Sequence, residues 1–160
     1  QRVRSHWNVE EGPINDGLLS EITNLDQDFL WKSENRASFP FSMGFRDNGS
    51  GASGIYLDKS WGTGRRFSLA RIIGDDLYAG ADDDQWLPAT DAKTFRQKFQ
   101  RAFAQEFLCP YRELKDYFYD QTITEDSIEE VANRYDVSPL CVKTTLVNRG
   151  ELPQQTLSSQ

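Results

Sequence analysis

One stretch decides the fold, and it reads Arg65-Arg66-Phe67-Ser68-Leu69-Ala70-Arg71-Ile72-Ile73-Gly74-Asp75-Asp76-Leu77-Tyr78. Its apolar residues recur at the spacing of one helix face, namely Phe67, Ala70, Ile73, Gly74 and Leu77. This spacing predicts a helix over residues 64–79 whose apolar face points toward a core. Arg71 and Asp75 lie four residues apart, so we expect them to form an ion pair along that helix.

A second helix is predicted over residues 91–108, capped by Thr90 or Asp91 and ended by Pro110. Its apolar stripe is again at helical spacing and consists of Phe95, Phe99, Ala102, Phe103 and Phe107. The other faces carry basic residues, Lys93, Arg96, Lys98 and Arg101. We therefore expect the phenyl rings to be buried and the cations to be solvated.

Both stretches resemble the ImmA/IrrE-like metallopeptidase family. The active-site helix of that family reads roughly R-x-F-T-L-A-H-E-L-G-H, and here R-R-F-S-L-A at 65–70 and Gly74 are kept. Arg71 stands at the first histidine, Ile72 at the glutamate and Asp75 at the second histidine. The family's second motif, E-A-N-x-F-A-A-E-L-L-M-P, resembles residues 102–110, and counting back from the proline places its third zinc ligand, a glutamate, on Phe99.

The resemblance implies a zincin-like scaffold whose zinc site is degenerate. Two histidines at i and i+4 share a zinc ion, and the glutamate between them acts as general base on the bound water. An arginine has no lone pair to donate to a metal, and an alkyl or phenyl side chain has neither a lone pair nor a proton to exchange. We therefore expect no catalytic residue, no metal and no cofactor at Arg71, Ile72, Asp75 and Phe99.

Composition limits the other classes of function. The 160 residues carry a net charge of −7, which disfavours nonspecific binding to nucleic acid. His6 is the only histidine, and Cys109 and Cys141 are far apart, so the chain lacks zinc-ligand spacing. No apolar run is long enough to cross a bilayer. We expect a cytoplasmic protein with two buried thiols, and, because Gln1 is not a start methionine, a domain cut from a longer protein or a processed product.

The rest of the chain predicts an α+β fold, helix-rich with a small antiparallel sheet. Alternating Phe39, Phe41, Met43 and Phe45 predict a strand with one buried face, and residues 55–57 predict its hairpin partner after a turn at 47–51. Residues 128–150 have the shape of a helix-turn-helix, with Ser138 as the cap and Pro139 opening the second helix. The expected organisation is a peptidase-like domain at 1–120, a helix-turn-helix-like unit at 121–152 and a polar tail at 153–160.

The second helix of that unit carries candidate DNA contacts, Lys143, Thr144, Asn148 and Arg149. Its first helix is acidic and would be repelled by the phosphates of DNA; the carboxylates are those of Glu125, Asp126, Glu129 and Glu130. Packing or protein contact is therefore favoured over DNA contact for this unit.

Three functions remain open. The favoured one is a noncatalytic peptidase-like module that recognises a protein in a bacterial stress, mobile-element or toxin–antitoxin type system. The alternatives are a DNA-binding transcription regulator and a hydrolase that uses Asp75 and Asp76 with an unrecognised metal. A ligand or partner cleft is predicted at Arg65, Arg66, Arg71, Asp75 and Arg101, and with Arg96 these arginines could take an anionic ligand, although scattered surface charge is the simpler interpretation.

Overall fold

The computed structural model describes residues 2–30, 39–46, 52–79 and 85–157. In these ranges the helices are α1 (Arg2–His6), α2 (Asp16–Thr23), α3 (Gly62–Tyr78), α4 (Phe95–Leu108), α5 (Tyr111–Tyr117), α6 (Glu125–Tyr135) and α7 (Pro139–Asn148). The strands are β1 (Ser42–Arg46), β2 (Ala52–Tyr56) and β3 (Trp86–Ala89), and short 3₁₀ helices lie at Gln27–Leu30 and Gln154–Leu157. The predicted α+β class, helix-rich with a small antiparallel sheet, is confirmed.

The strands form one antiparallel sheet in the order β2-β1-β3. The predicted hairpin is β1 and β2, with Met43 opposite Tyr56. Strand β3 has no counterpart among the predicted elements; its four residues include Pro88, and proline is disfavoured within strands. The predicted turn at 47–51 lies outside the described residues.

The buried face of β1 is the opposite of the predicted one. Ser42 and Gly44 are buried, whereas Phe39 and Phe45 are exposed. A Cβ built on Gly44 would lie only 2.6 Å from Cγ2 of Ile72 in α3. The helix therefore packs so closely on this strand that a side chain larger than hydrogen does not fit, and the phenyl rings are turned outward.

Helix α3 is buried over most of its surface and not along one stripe only. Its predicted bounds hold to within two residues, but Leu77 at the end of the predicted stripe is exposed. A Cβ on Gly74 would lie 2.5 Å from the Phe103 ring of α4, so the two helices approach closely there. Charged residues of α3, among them Arg71 and Asp75, are buried with the apolar ones.

Helix α4 starts later than predicted and buries a different face. The Thr94 hydroxyl accepts a hydrogen bond from the Gln97 amide at 3.3 Å, which caps a helix that begins at Phe95. Phe95 is 75% exposed, while Gln97 and Gln100 are buried. The predicted phenyl stripe is therefore wrong for the first half of the helix, although Phe107 is buried as expected.

By its contacts the chain forms two compact units, unit 1 from residues 1–14 and 105–160 and unit 2 from residues 15–104. This division falls within α4, whereas the expected organisation placed its boundary at residue 120. In unit 1, residues 2–6 are helical and Arg4 is buried.

Within unit 1, α6 and α7 form as predicted. The buried residues of α6 are Ile128, Val131, Ala132 and Tyr135. The side chain of Ser138 caps α7, and Pro139 occupies its first turn. The capping box of α6 pairs Thr124 with Ser127. The expected polar tail at 153–160 contains a 3₁₀ turn at Gln154–Leu157.

Candidate functional site

Arg71, at the predicted first ligand position, is bound by neutral oxygens in unit 2. The residue is 6% exposed. Its Nη2 donates to the Thr90 carbonyl at 2.5 Å and to Oε1 of Gln97 at 2.6 Å. Oε1 of Gln100 is a third acceptor at 3.3 Å. The predicted ion pair with Asp75 is therefore wrong, because the guanidinium donates instead to residues of α4 and of the segment after β3.

Asp75, at the predicted second ligand position, is held by a different cation. Its side chain is 1% exposed, and its oxygens accept from Nε of Arg96 at 2.8 and 3.0 Å. Nη2 of Arg96 also donates to the Trp86 carbonyl at 3.0 Å. The carboxylate is thus buried together with its counter-ion, and Asp76 is likewise bonded, by Nε of Arg46 at 2.7 Å.

The other two predicted positions are apolar contacts. Ile72 is fully buried against Gly44 of β1. The ring of Phe99 lies 4.8 Å from the Tyr78 ring and 6.4 Å from the Phe103 ring, measured between centroids. Phe99 therefore lies on a different face of α4 from Gln97 and Gln100, which contact Arg71.

Side chains of α3 and α4 occupy the outer edge of β3. Nε2 of Gln97 and Nε2 of Gln100 donate to the Pro88 carbonyl at 2.7 and 3.0 Å. The Thr90 amide donates to Oε1 of Gln97 at 2.8 Å. Together with the arginine bonds to Trp86 and Thr90, these contacts use the main-chain groups with which an added strand would pair.

The glutamines were not recognised as site residues from the sequence. Gln97 and Gln100 lie three residues apart on one face of a helix that was expected to bury only phenyl rings. That pair of long amides on one helix face was the available signal, since buried main-chain groups must find polar partners.

The electrostatics of this region are dominated by arginine. Burial, and then the charge of Arg101, lowers the pKa of Arg71 to about 10, so it remains a cation at neutral pH. Arg101 donates from Nη1 to the same Thr90 carbonyl at 3.4 Å and from Nη2 to the Ala92 carbonyl at 3.0 Å. In the described part of the chain, Nε of Arg71 is buried and has no hydrogen-bond partner.

The other predicted cleft residues on α3, Arg65 and Arg66, hold elements of unit 2 together by hydrogen bonds and an ion pair. Arg65 is buried and donates to the carbonyls of Phe29 at 2.6 Å and Leu30 at 3.0 Å, and burial lowers its pKa. Arg66 is buried and paired with Asp16. The simpler interpretation as scattered surface charge is therefore wrong for Arg65, Arg66 and Arg71, and the first two bind the segment before the sheet to α3.

The candidate DNA contacts do not form one free cationic face in unit 1. Lys143 is buried and pairs with Glu125 at 2.6 Å. Arg149 lies 3.8 Å from a carboxylate oxygen of Glu106. Thr144 is half-buried, and Asn148 is exposed.

Neither a metal-binding cluster nor a membrane-spanning helix is found in the described ranges. Within 2–30, 39–46, 52–79 and 85–157, no three His, Cys, Asp or Glu side chains are grouped closely enough to hold a metal ion. None of the helices in that part of the chain combines the length and apolar character needed to cross a bilayer. Comparisons with protein-family models, curated proteins and solved structures return no match to this chain. The family resemblance therefore stays a prediction from the two sequence motifs.

Proposed function

We propose that unit 2 is a noncatalytic, peptidase-like module that recognises a protein partner in a bacterial regulatory or defence system. One observation carries the proposal. The side chains at the expected zinc-ligand positions of α3, Arg71 and Asp75, are cross-linked by hydrogen bonds to α4 and to main-chain carbonyls at 86–90. These two side chains thus connect α3 to α4 and to the segment at 86–90, and neither of them is arranged to activate water.

The chemistry at each position supports the absence of hydrolysis. A guanidinium that stays protonated at neutral pH cannot bind a cation. Both oxygens of Asp75 are occupied by Arg96. Ile72 offers no proton acceptor at the position of the general base, so neither the nucleophile nor the metal of a zinc peptidase can be assembled from these residues.

The proposed recognition surface consists of Tyr78, Phe95 and Phe99, which we call the aromatic surface. Tyr78 is 61% exposed and Phe95 is 75% exposed, and the Tyr78 ring lies against Phe99. Phe95 and Phe99 are one helical turn apart on α4. Exposed aromatic side chains grouped in this way are typical of protein interfaces. Because the outer edge of β3 is occupied, we place the partner on these rings and not on that edge.

The experiment combines two measurements on the purified chain. Elemental analysis and a peptide-library hydrolysis assay should show no stoichiometric zinc and no cleavage. A protein captured from extracts of the source organism and identified by mass spectrometry is then purified, and its affinity is measured directly. The double variant Tyr78→Ala/Phe95→Ala should bind about tenfold more weakly or worse, since aromatic anchors dominate interface energies.

The matched control is Tyr119→Ala, which removes a 79% exposed tyrosine of unit 1 and should leave the affinity unchanged. Stoichiometric zinc with peptide cleavage would overturn the noncatalytic function. Equal binding by wild type and the double variant would overturn the assignment of the aromatic surface.

A further inference from the structure

Arg71 has more donors than it has acceptors. A guanidinium carries five N–H donors. Among the described residues, Nη2 alone contacts the three acceptor oxygens, those of Thr90, Gln97 and Gln100, and Nε is buried without a hydrogen-bond partner. Within the described residues no acceptor is bonded to Nη1 either. The side chain is therefore buried with three of its five N–H donors unused.

The charge of Arg71 is not neutralised by a bonded carboxylate. Asp91, Asp58 and Asp75 act on it at a distance, but in the part of the chain that the structure describes none of them accepts a hydrogen bond from it. Asp75 is occupied by Arg96. A buried cation without a bonded counter-ion is costly, and such groups in proteins are usually paired with an anion.

A second guanidinium converges on the same point. Arg101 and Arg71 both donate to the Thr90 carbonyl, so their like charges lie close together in a chain of net charge −7. Arg101 is partly exposed, and the adjacent Asp91 and Ala92 are exposed, whereas Arg71 is buried, so Arg101 is the member of the pair that solvent reaches. Planar guanidinium groups placed close together are an arrangement by which proteins bind carboxylate and phosphate groups, through pairs of parallel N–H donors.

We propose that Arg71 and Arg101 form a binding site for an oxyanion, either a carboxylate or a phosphate group, which supplies the missing acceptor between the two guanidinium groups. Arg101 closes the ligand from the solvent side, and Arg71 provides the buried charge. This proposal does not depend on whether the aromatic surface binds a protein, since it concerns different side chains of α3 and α4.

The test is a titration of the isotope-labelled chain with sodium phosphate and, separately, with sodium acetate, at constant ionic strength maintained with sodium chloride. The side-chain Nε–H signals of Arg71 and Arg101 and the amide signal of Ala92 are followed. We expect saturable shifts with at least one of the two anions and none with added chloride. Tighter binding of phosphate indicates a phosphate-bearing ligand, and tighter binding of acetate indicates a carboxylate.

The variant Arg101→Ala should weaken the affinity about tenfold or more, because one charge-assisted pair of hydrogen bonds is lost. Arg101→Lys keeps the charge without the fork, and we expect it to recover only part of the affinity. The control Lys98→Ala removes an exposed cation of the same helix and should leave the affinity unchanged. No saturable shift with either anion, or equal binding by wild type and Arg101→Ala, would overturn the site.

Discussion

The ion pair of Asp75 and Arg96 predicts an asymmetric response to removal of either partner. The Asp75 side chain is 1% exposed, whereas that of Arg96 is 34% exposed. Arg96→Ala leaves a buried carboxylate without its counter-ion, and this kind of change costs about 3 kcal/mol of unfolding free energy. Asp75→Ala leaves a cation that can turn toward water, so we expect a loss of about 1 kcal/mol.

The assay is thermal and urea unfolding of the wild type, the two single variants and the double variant Asp75→Ala/Arg96→Ala. For a chain of this length each kcal/mol lowers Tm by about 2–4 °C, so Arg96→Ala should lower it by about 6–12 °C. The double variant should be more stable than Arg96→Ala, since it no longer buries an unpaired charge. Equal losses in the two single variants, or a double variant no better than Arg96→Ala, would refute the buried-carboxylate explanation.

Two further predictions concern packing and pH. Gly44→Ala should destabilise unit 2 by about 1–3 kcal/mol, because the new methyl group would clash with Ile72. The matched control is Gly54→Ala, where the nearest atom to the new methyl group is 3.9 Å away. Equal stability of the two variants in urea unfolding would contradict this packing. Burial raises the pKa of the Cys141 thiol to about 12 and also raises the pKa of Cys109. In the unfolded chain these thiols ionise near pH 9, whereas in the folded protein they stay protonated to higher pH. The free energy of unfolding should therefore be unaffected by these two thiols below about pH 9. It should fall as the pH rises toward 12, by up to about 1.4 kcal/mol per pH unit for each thiol. Urea unfolding at pH 8 and pH 10 measures this loss, and a Cys141→Ala variant with an unchanged pH dependence would show that this thiol does not contribute.

The local elements of this protein were largely predictable. The spacing of apolar residues located α3, α6 and α7, and Ser138 followed by Pro139 marked the start of α7. These signals are local, because a helix cap or a periodic stripe is read within a few residues of the chain. The incapacity of Arg71 to bind a metal is equally local, since it belongs to the guanidinium itself.

The choice of buried face was not predictable in the same way. Alternation in β1 correctly indicated two faces, but the faces were inverted because α3 approaches Gly44 too closely for any side chain. In α4, the buried face carries Gln97 and Gln100 because the outer edge of β3 needs polar partners there. Periodicity separates one face from the other, and only the distance and chemistry of the neighbouring element decide which face is buried.

The sequence by itself determined the α+β class, most of the helices and the absence of histidine and cysteine from α3. Only the tertiary structure decided that Arg71 bonds to neutral amides and a carbonyl, and that Asp75 pairs with Arg96 and not with Arg71. The physical reason is that the hydrogen-bond partners of both side chains are distant in sequence. Arg71 and Asp75 are neighbours on one helix, but the groups that satisfy them lie on β3, the segment after it and α4, which the fold brings within hydrogen-bonding distance.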